Sequence, residues 1–439
     1  NNTNNAGYKN AGLFCSLKDA TVENLVIDPS CSFTGYSAGA LSVSVDGTVA
    51  VTNTTNKAAV SGTESVGGFI GFVEGLKQPT VISFEDCVND GNVTGSGYCV
   101  GGFVGYILHN TMTMTISNSI NNGNVTGSDY YVGGFVGRIY SYKNTAMTIS
   151  SSTNNGIVTG SEYVGGFVGV IGSNTNMTMT ISNFINNGNV TGRWYYVGGF
   201  VGDISRNINM TMTISNSINN GNVTGSEYVG GFVGYIYSSS QSNSISSCII
   251  NSANKGSVST KRDGGCGFVC VSPKNSINVN NTIKNSINKG SVSACTSAYG
   301  ITNIITVARN VVSMGDVTGS SGSYTFWNAS NDVDLFYGLD GKCFNCSDDA
   351  TLFQLNTSTG FYEVAGTGEH VHNLLNDEAV NQHFGMVWSS ELELVDKVTL
   401  TINVSGLWNE SLLVESGTAL NKVSNLSYYL NHEELCVGN

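Results

Sequence analysis

The hexapeptide Val-Gly-Gly-Phe-(Val/Ile)-Gly occurs six times, and its phenylalanine falls at Phe69, Phe103, Phe135, Phe167, Phe200 and Phe232, with spacings of 34, 32, 32, 33 and 32 residues. Weaker copies place Leu13 and Leu41 before the series and Phe268 and Ile301 after it. So fixed a period restricts the fold to one unit stacked on the next, as in a solenoid or a propeller. Each unit reads as three strand-like pieces, for example 101–108, 111–120 and 124–132, with corners at Asn122-Gly123 and Thr126-Gly127. A propeller blade needs four antiparallel strands in about 40 residues. Three short strands in a shorter unit predict an all-β fold instead, a parallel β-helix of about ten coils.

Comparison of the copies predicts which side chains face inward, because a position that accepts charge must reach water. The third residue after each Phe reads Phe72, Tyr106, Arg138, Val170, Asp203, Tyr235, and the fourth reads Val73, Ile107, Ile139, Ile171, Ile204, Ile236. By the two-residue period, Phe and Ile point in while Arg138 and Asp203 point out. In the second piece Met112, Met114, Ile116, Asn118 and Ile120 share the inward parity, and Thr111, Thr113 and Thr115 share the other. The third piece repeats Val93, Val125, Val158, Val190, Val223, Val258, Val292 and Val317 as core, each after a residue expected at the surface.

Residues 1–324 carry 15 acidic and 15 basic side chains, whereas 325–439 carry 16 and 3, which supplies the whole net charge of −13. That step predicts a β-solenoid over 1–324 and an acidic, β-rich C-terminal domain over 325–439. In the latter, Lys397-Val-Thr-Leu-Thr-Ile-Asn-Val-Ser and Ser411-Leu-Leu-Val-Glu suggest a hairpin. No basic block interleaved with aromatics is present, so no nucleic-acid partner is expected. No apolar run reaches the length of a membrane span, so no membrane insertion is expected either. The opening Asn1-Asn2-Thr3-Asn4-Asn5, without Met or an apolar signal region, reads as a mature or trimmed product.

Eleven cysteines, Cys15, Cys31, Cys87, Cys99, Cys248, Cys266, Cys270, Cys295, Cys343, Cys346 and Cys436, are spread as disulfide candidates are, with connectivity open. Fifteen Asn-x-Ser/Thr sequons occur, at Asn1, Asn53, Asn92, Asn124, Asn176, Asn189, Asn209, Asn222, Asn280, Asn328, Asn345, Asn356, Asn403, Asn409 and Asn425. Asn92, Asn124, Asn189 and Asn222 stand at the surface position before the core valine, and covalent N-glycans are expected on several of the fifteen. The Gly-Gly-Phe-Val-Gly and Asn-Asn-Gly-Asn-Val-Thr-Gly units, over roughly residues 10–320, resemble GLUG-type repeats of secreted, surface-bound proteins of bacteria and protists, which are similar to β-helical adhesins. The resemblance implies a place outside the cell or on its surface and transfers no catalytic residue.

Candidate chemistry is sparse, and neither catalysis nor a cofactor is expected. Polysaccharide-active β-helices need clustered carboxylates with Lys or Arg on one face, whereas Arg138, Arg193 and Asp203 read as isolated charges at different registers. Asp348-Asp349 reads as a solvated turn, His370-Val-His372 with Glu369 and His383 as a polar loop rather than a metal site, and Cys343-Phe-Asn-Cys346 as part of a disulfide framework. Thr-x-Thr ladders at 111–116, 178–181 and 211–214 resemble those of ice-binding proteins.

The expected function is a structural subunit of an extracellular, glycosylated filament, coat or appendage, with a monomeric cell-surface adhesin and an ice-binding solenoid as alternatives. Partners would be further copies or neighbouring surface proteins. The interface candidates are Val104, Val136, Val168, Val201 and Val233, which follow the inward Phe and by alternation would form an exposed apolar strip; a bulge at the Gly-Gly pair or cover from loops would account for them otherwise.

Overall fold

Each hexapeptide turns the chain rather than continuing a straight strand. In the computed structural model the coil that starts at Cys99 runs through strands Cys99–Gly101, Val104–His109, Met112–Ser117, Ile120–Asn121 and Val125–Gly127. Residues 9–320 are described, apart from 76–78, 174–175, 206–208, 238–243, 272–278, 304 and 314–315; elsewhere only the backbone of strands is. Successive coils pair in parallel and stack like on like: Val104 opposite Val136, Met114 opposite Met147, Asn121 opposite Asn154, Val125 opposite Val158. A slip of one residue would turn these core sets outward, so the hydrophobic pattern fixes the register. One parallel sheet of ten short strands runs from Ser32–Gly35 to Val317–Gly319. The chain is therefore a parallel β-solenoid, with no helix among the described residues.

The phenylalanines form its spine and are fully buried. Ring centroids lie 4.5 Å apart for Phe103 and Phe135, 4.4 Å for Phe200 and Phe232, and 4.9 Å for Phe232 and Phe268. Phe184, at the corner after Asn176–Ser182, stands edge-on to Phe167 and Phe200, at 5.3 and 5.0 Å. Met112, Met114 and Ile116 are buried and Thr113 is exposed, so the methionine and threonine faces separate as the alternation predicts. The core valines from Val93 to Val292 are fully buried and Val317, on the last of the ten strands, is partly so.

Where alternation fails, a corner intervenes. Val104, Val136, Val168, Val201 and Val233 are fully buried in the core and form no exposed strip. At each hexapeptide the Phe and the residue after it donate to a single carbonyl: Phe135 O accepts from Phe103 N at 2.8 Å and from Val104 N at 2.9 Å. Two consecutive side chains thereby enter the interior. The piece 111–120 breaks likewise at Asn118, which has φ 49° and is exposed rather than inward, and Ile120 is only partly buried. The same left-handed corner recurs at Asp86, Ser151, Asn183, Asn216 and Asn251, mostly residue types that tolerate it.

An internal asparagine ladder joins the coils. Nδ2 of Asn56, Asn89, Asn121, Asn154, Asn186, Asn219 and Asn254 each donates to Oδ1 of the next member, ending on Asn288, at 2.7–2.8 Å. Each also donates to the carbonyl two residues on, such as Gly123 O from Asn121. Buried amides are tolerated only when so paired.

Among the described residues one disulfide forms, Cys266–Cys270, at the corner where the preceding copy has Gly230 and Gly234. Cys31, Cys87, Cys99, Cys248 and Cys295 carry no disulfide, and Cys15 is exposed. Stacking explains two of these: Cys99 lies opposite Ser65, and Cys248 opposite Thr213 and Thr282, so no second sulfur stands in register. Burial pushes the Cys87 thiol up to about 11. Cys343, Cys346 and Cys436 lie outside the described side chains.

Parallel pairing crosses residue 324, since Gly322–Trp327 pairs with Ser297–Thr302. Thr399–Ile402 and Leu412–Glu415 pair antiparallel as a hairpin. Asp348, Asp349, Glu369, His370, His372 and His383 lie outside the described residues.

Candidate functional site

On the outer side of the first long strand, the ladder Phe72, Tyr106, Arg138, Val170, Asp203, Tyr235 changes from rung to rung, although its backbone register is constant. Arg138 and Asp203 thus occupy one ladder, two rungs apart, and not separate registers as the sequence suggested. They point outward, yet Arg138 is half-buried and Asp203 is 1% exposed. Tyrosines from the preceding corner cover them.

Tyr131, Tyr163, Tyr196 and Tyr228 occupy equivalent places in four successive coils, all with φ between 55° and 61°, and the next coil has Gly264 there at φ 75°. A left-handed conformation is costly for a bulky residue, about 1–3 kcal/mol each, and persists only where the surroundings impose it. Here it throws each ring across the neighbouring strand. Centroids lie 5.1 Å apart for Tyr131 and Tyr163, 5.2 Å for Tyr163 and Tyr196, and 5.7 Å for Tyr196 and Tyr228. Tyr235 joins Tyr196 at 4.6 Å, and Tyr98 and Tyr130 extend the layer at 6.1 Å.

The Arg138 guanidinium carbon sits 4.5 Å from the Tyr131 ring centre, 5.2 Å from Tyr106 and 5.5 Å from Tyr140, so three quadrupoles hold the cation. Burial pushes the Tyr106 phenol up to about 12 and raises those of Tyr196 and Tyr228, leaving neutral hydroxyls at neutral pH. The Cys99 thiol is pushed up to about 12 by burial, although Arg138 beside it pulls the other way. Burial, with Asp129 second, raises the Glu162 carboxyl.

Within this layer lies a cleft of about 90 Å³ lined by Tyr131, Arg138, Tyr140, Tyr163, Val170, Gly172, Asp203 and Ser205. Its origin is local. Val170 stands between Arg138 and Asp203, and Gly172 between Tyr140 and Ser205, so the middle rung carries the short side chain at both outward positions. Ser205 Oγ donates to Asp203 Oδ2 at 2.5 Å. Sequence reasoning missed this site. Its available signal was the tyrosine two residues ahead of four successive Gly-Gly pairs, at 131, 163, 196 and 228.

The opposite signal, regularity, marks two other surfaces. Outward from the second strand stand Ser83, Thr115, Thr148, Thr180 and Thr213 in register. At the short-sheet edge Asn92, Asn124, Asn189 and Asn222 are exposed, as are Asn53, Asn176, Asn209 and Asn280. Oδ1 of Asn92 accepts from Asn124 N, and Oδ1 of Asn189 from Asn222 N, bonds that do not use the Nδ2 a glycan would occupy. Asn328, Asn345, Asn356, Asn403, Asn409 and Asn425 lie outside the described side chains. No group of three metal-ligating side chains occurs among the described residues.

No family model matches the chain, and no curated protein does. Among solved structures a match is found to a "putative immunoglobulin A1 protease from Bacteroides ovatus", 14% identical, with a TM-score of 0.31, covering 65% of this chain and 78% of that one. A likeness at that level carries no argument about chemistry.

Proposed function

We propose that the chain is a non-catalytic binding solenoid that acts outside the cell, an adhesin on GLUG-like repeats whose tyrosine-covered face contacts its target. The observation that carries this reading is the run of four tyrosines held at positive φ in successive coils. Strain that packing alone does not require points to function, and half-buried aromatic rings with polar ends are the side chains that binding surfaces concentrate. The cleft joins one carboxylate to one guanidinium without a histidine, lysine or second carboxylate in its lining, which supports binding over bond cleavage. Exposed sequons and a disulfide support an extracellular place. The valines offered as the interface of a filament are core, so that reading keeps no candidate interface among them.

The experiment is a binding assay of purified, fluorescently tagged chain on cell surfaces and immobilised polysaccharides, with glycopeptide analysis of secreted material. Wild type is expected to be monomeric in sedimentation and to bind, the double variant Tyr163→Gly, Tyr196→Gly to bind at least tenfold more weakly, and sugar to appear on Asn92, Asn124, Asn189 or Asn222. Equal binding by the variant, or filaments in negative stain, would overturn the adhesin reading; bare peptides at all four sequons would remove its glycosylated coat.

A further inference from the structure

The outer rank of the ten-stranded short sheet carries four sequon asparagines whose amides all face one way along the solenoid axis. Oδ1 of Asn92 accepts from Asn124 N, that of Asn124 from Ile157 N, that of Asn189 from Asn222 N and that of Asn222 from Ser257 N, at 2.9–3.0 Å. Each oxygen thus faces the following coil, and a planar amide so turned directs its Nδ2 outward and back over the preceding one. What lies there differs from rung to rung. By the register of the core valines, Ala59 lies behind Asn92, Asn92 behind Asn124, Ile157 behind Asn189 and Asn189 behind Asn222. Ile157 is 48% exposed and interrupts the asparagine rank. Neighbouring rungs are about 4.8 Å apart, so a group carried by Asn189 Nδ2 stands over the Ile157 side chain.

We propose that Asn189 carries an N-linked glycan whose first sugar lies on the Ile157 side chain. The inference rests on the reading of the chain as glycosylated outside the cell, and it names the modified residue and its contact. Asn189-Val190-Thr191 is a sequon, and its asparagine is exposed. The bond Asn189 makes within the fold uses Oδ1, so Nδ2 takes a sugar with the rank of bonds intact. A pyranose has an apolar C–H face and an amino sugar's acetyl group adds a methyl; laid on Ile157, both remove apolar surface from water. Thr159 and Thr191, on the same outer side, present hydroxyls to those of the sugar. At Asn124 and Asn222 the same direction leads over another amide, and at Asn92 over a single methyl, so within this rank the apolar seat belongs to Asn189. Transfer forms the bond from Nδ2 to the anomeric carbon and breaks the bond from that carbon to the diphosphate of a lipid-linked oligosaccharide donor. The diphosphate leaves with the bonding pair, and the amide proton goes to solvent.

The test uses the full chain secreted from a glycosylating eukaryotic host, with glycopeptide mass spectrometry for occupancy and hydroxyl-radical footprinting for cover. Asn189 is expected to carry sugar in most molecules. Thr191→Val abolishes the sequon, leaves Asn189 and its bond to Asn222 in place, and changes only an exposed side chain, so it serves as the bare reference. Ile157 should be oxidised at least threefold more slowly in the glycosylated chain than in Thr191→Val. In a second variant, Ile157→Ser, a peptide N-glycosidase acting on the native chain should release the sugar of Asn189 at least threefold faster than from wild type. Equal oxidation of Ile157 with and without the sugar, or an unchanged release rate in Ile157→Ser, would overturn the contact. A bare Asn189 beside sugar on Asn92, Asn124 or Asn222 overturns the assignment and leaves the glycosylated reading standing. Bare peptides at every sequon remove both, whereas loss of surface binding in the tyrosine variants touches neither.

Discussion

The tyrosine face and the threonine face are outer sides of the same coils, built on the same register, yet they follow opposite rules. On the threonine face a rung repeats its neighbour: Thr115, Thr148, Thr180 and Thr213 stand opposite one another in register. On the tyrosine face the same register carries Tyr106, Arg138, Val170, Asp203 and Tyr235 in succession. Stacking favours repetition, because like rungs satisfy one another and slip is penalised by the core behind them. Departure from repetition in one patch, together with strained tyrosines over that patch alone, is what stacking does not explain. The irregular face is where rungs of different charge and size are brought side by side.

Both faces rest on a common core, and Val168→Asp is the harshest way to break it. Val168 is fully buried, so an unpaired carboxylate there should cost several kcal/mol and abolish cooperative unfolding in thermal circular dichroism. A folded Val168→Asp chain altered only in its oligomeric state would mean that the valine ladder is a surface, with no shared interior.

Next in size is Asn154→Ala, at the corner that follows the threonine strand. It removes the donor to Asn186 Oδ1 and one of the two acceptors of Asn121 Nδ2, which keeps its bond to Gly123 O, and each buried amide group left short of a partner costs about 1–3 kcal/mol. Hydrogen exchange should quicken first in the threonine strands of the adjoining coils. Loosening confined to the tyrosine face would show that the two faces do not divide at this corner.

A smaller effect separates stability from binding. In Tyr163→Gly the relief of a left-handed tyrosine, about 1 kcal/mol or more, opposes the loss of its ring contacts with Tyr131 and Tyr196. The melting temperature should stay close to that of wild type while surface binding falls. Destabilisation comparable to that of Asn154→Ala would assign the tyrosines to the scaffold.

Acidification is expected to act through His109, at the end of the first long strand and fully buried. Burial lowers its pKa below the ordinary 6.5, against an opposing backbone hydrogen bond at Thr111 and the charge of Asp46. The unfolded chain therefore binds more protons in the window just below pH 6.5, so its contribution to stability is intact above that value and is lost as pH falls through it. His109→Phe should flatten the decline in melting temperature between about pH 7 and about pH 5; an unchanged slope would locate the acid sensitivity elsewhere.

Much of this architecture was legible in the sequence because a repeat is an internal alignment. The phenylalanine spine, the Ile and Met ladders and the invariant valines were read from positions that never accept charge. What was not legible were corners. Alternation says nothing about a bend, so Val104 and its equivalents read as outward although a turn at Gly-Gly-Phe sends two neighbours inward, and Asn118 read as inward although a positive φ turns it out. The candidate site was hidden for the same reason. Arg138 and Asp203 are 65 residues apart in sequence and two rungs apart in space, and only the left-handed corner at Tyr131 and Tyr163 reveals what lies over them.

The smallest expected effect comes from the regular face, and its smallness is what makes it informative. Thr113 is exposed, with Val81 opposite on one rung and Ala146 on the other, so its ladder already tolerates the loss of a hydroxyl at both neighbours. Thr113→Ala disturbs no sequon, unlike changes at Thr178 or Thr211, which belong to those of Asn176 and Asn209. It should shift stability by no more than about 0.5 kcal/mol and leave surface binding unchanged. The interruptions at Val81, Ala146 and Ser246 in this rank, and the exposed sequon asparagines at its edge, also count against the ice-binding alternative, which needs an unbroken array. If Thr113→Ala weakened surface binding, or if wild type shaped growing ice crystals and Thr113→Ala did not, the regular face would be the functional one and the tyrosines its counterpart in the scaffold.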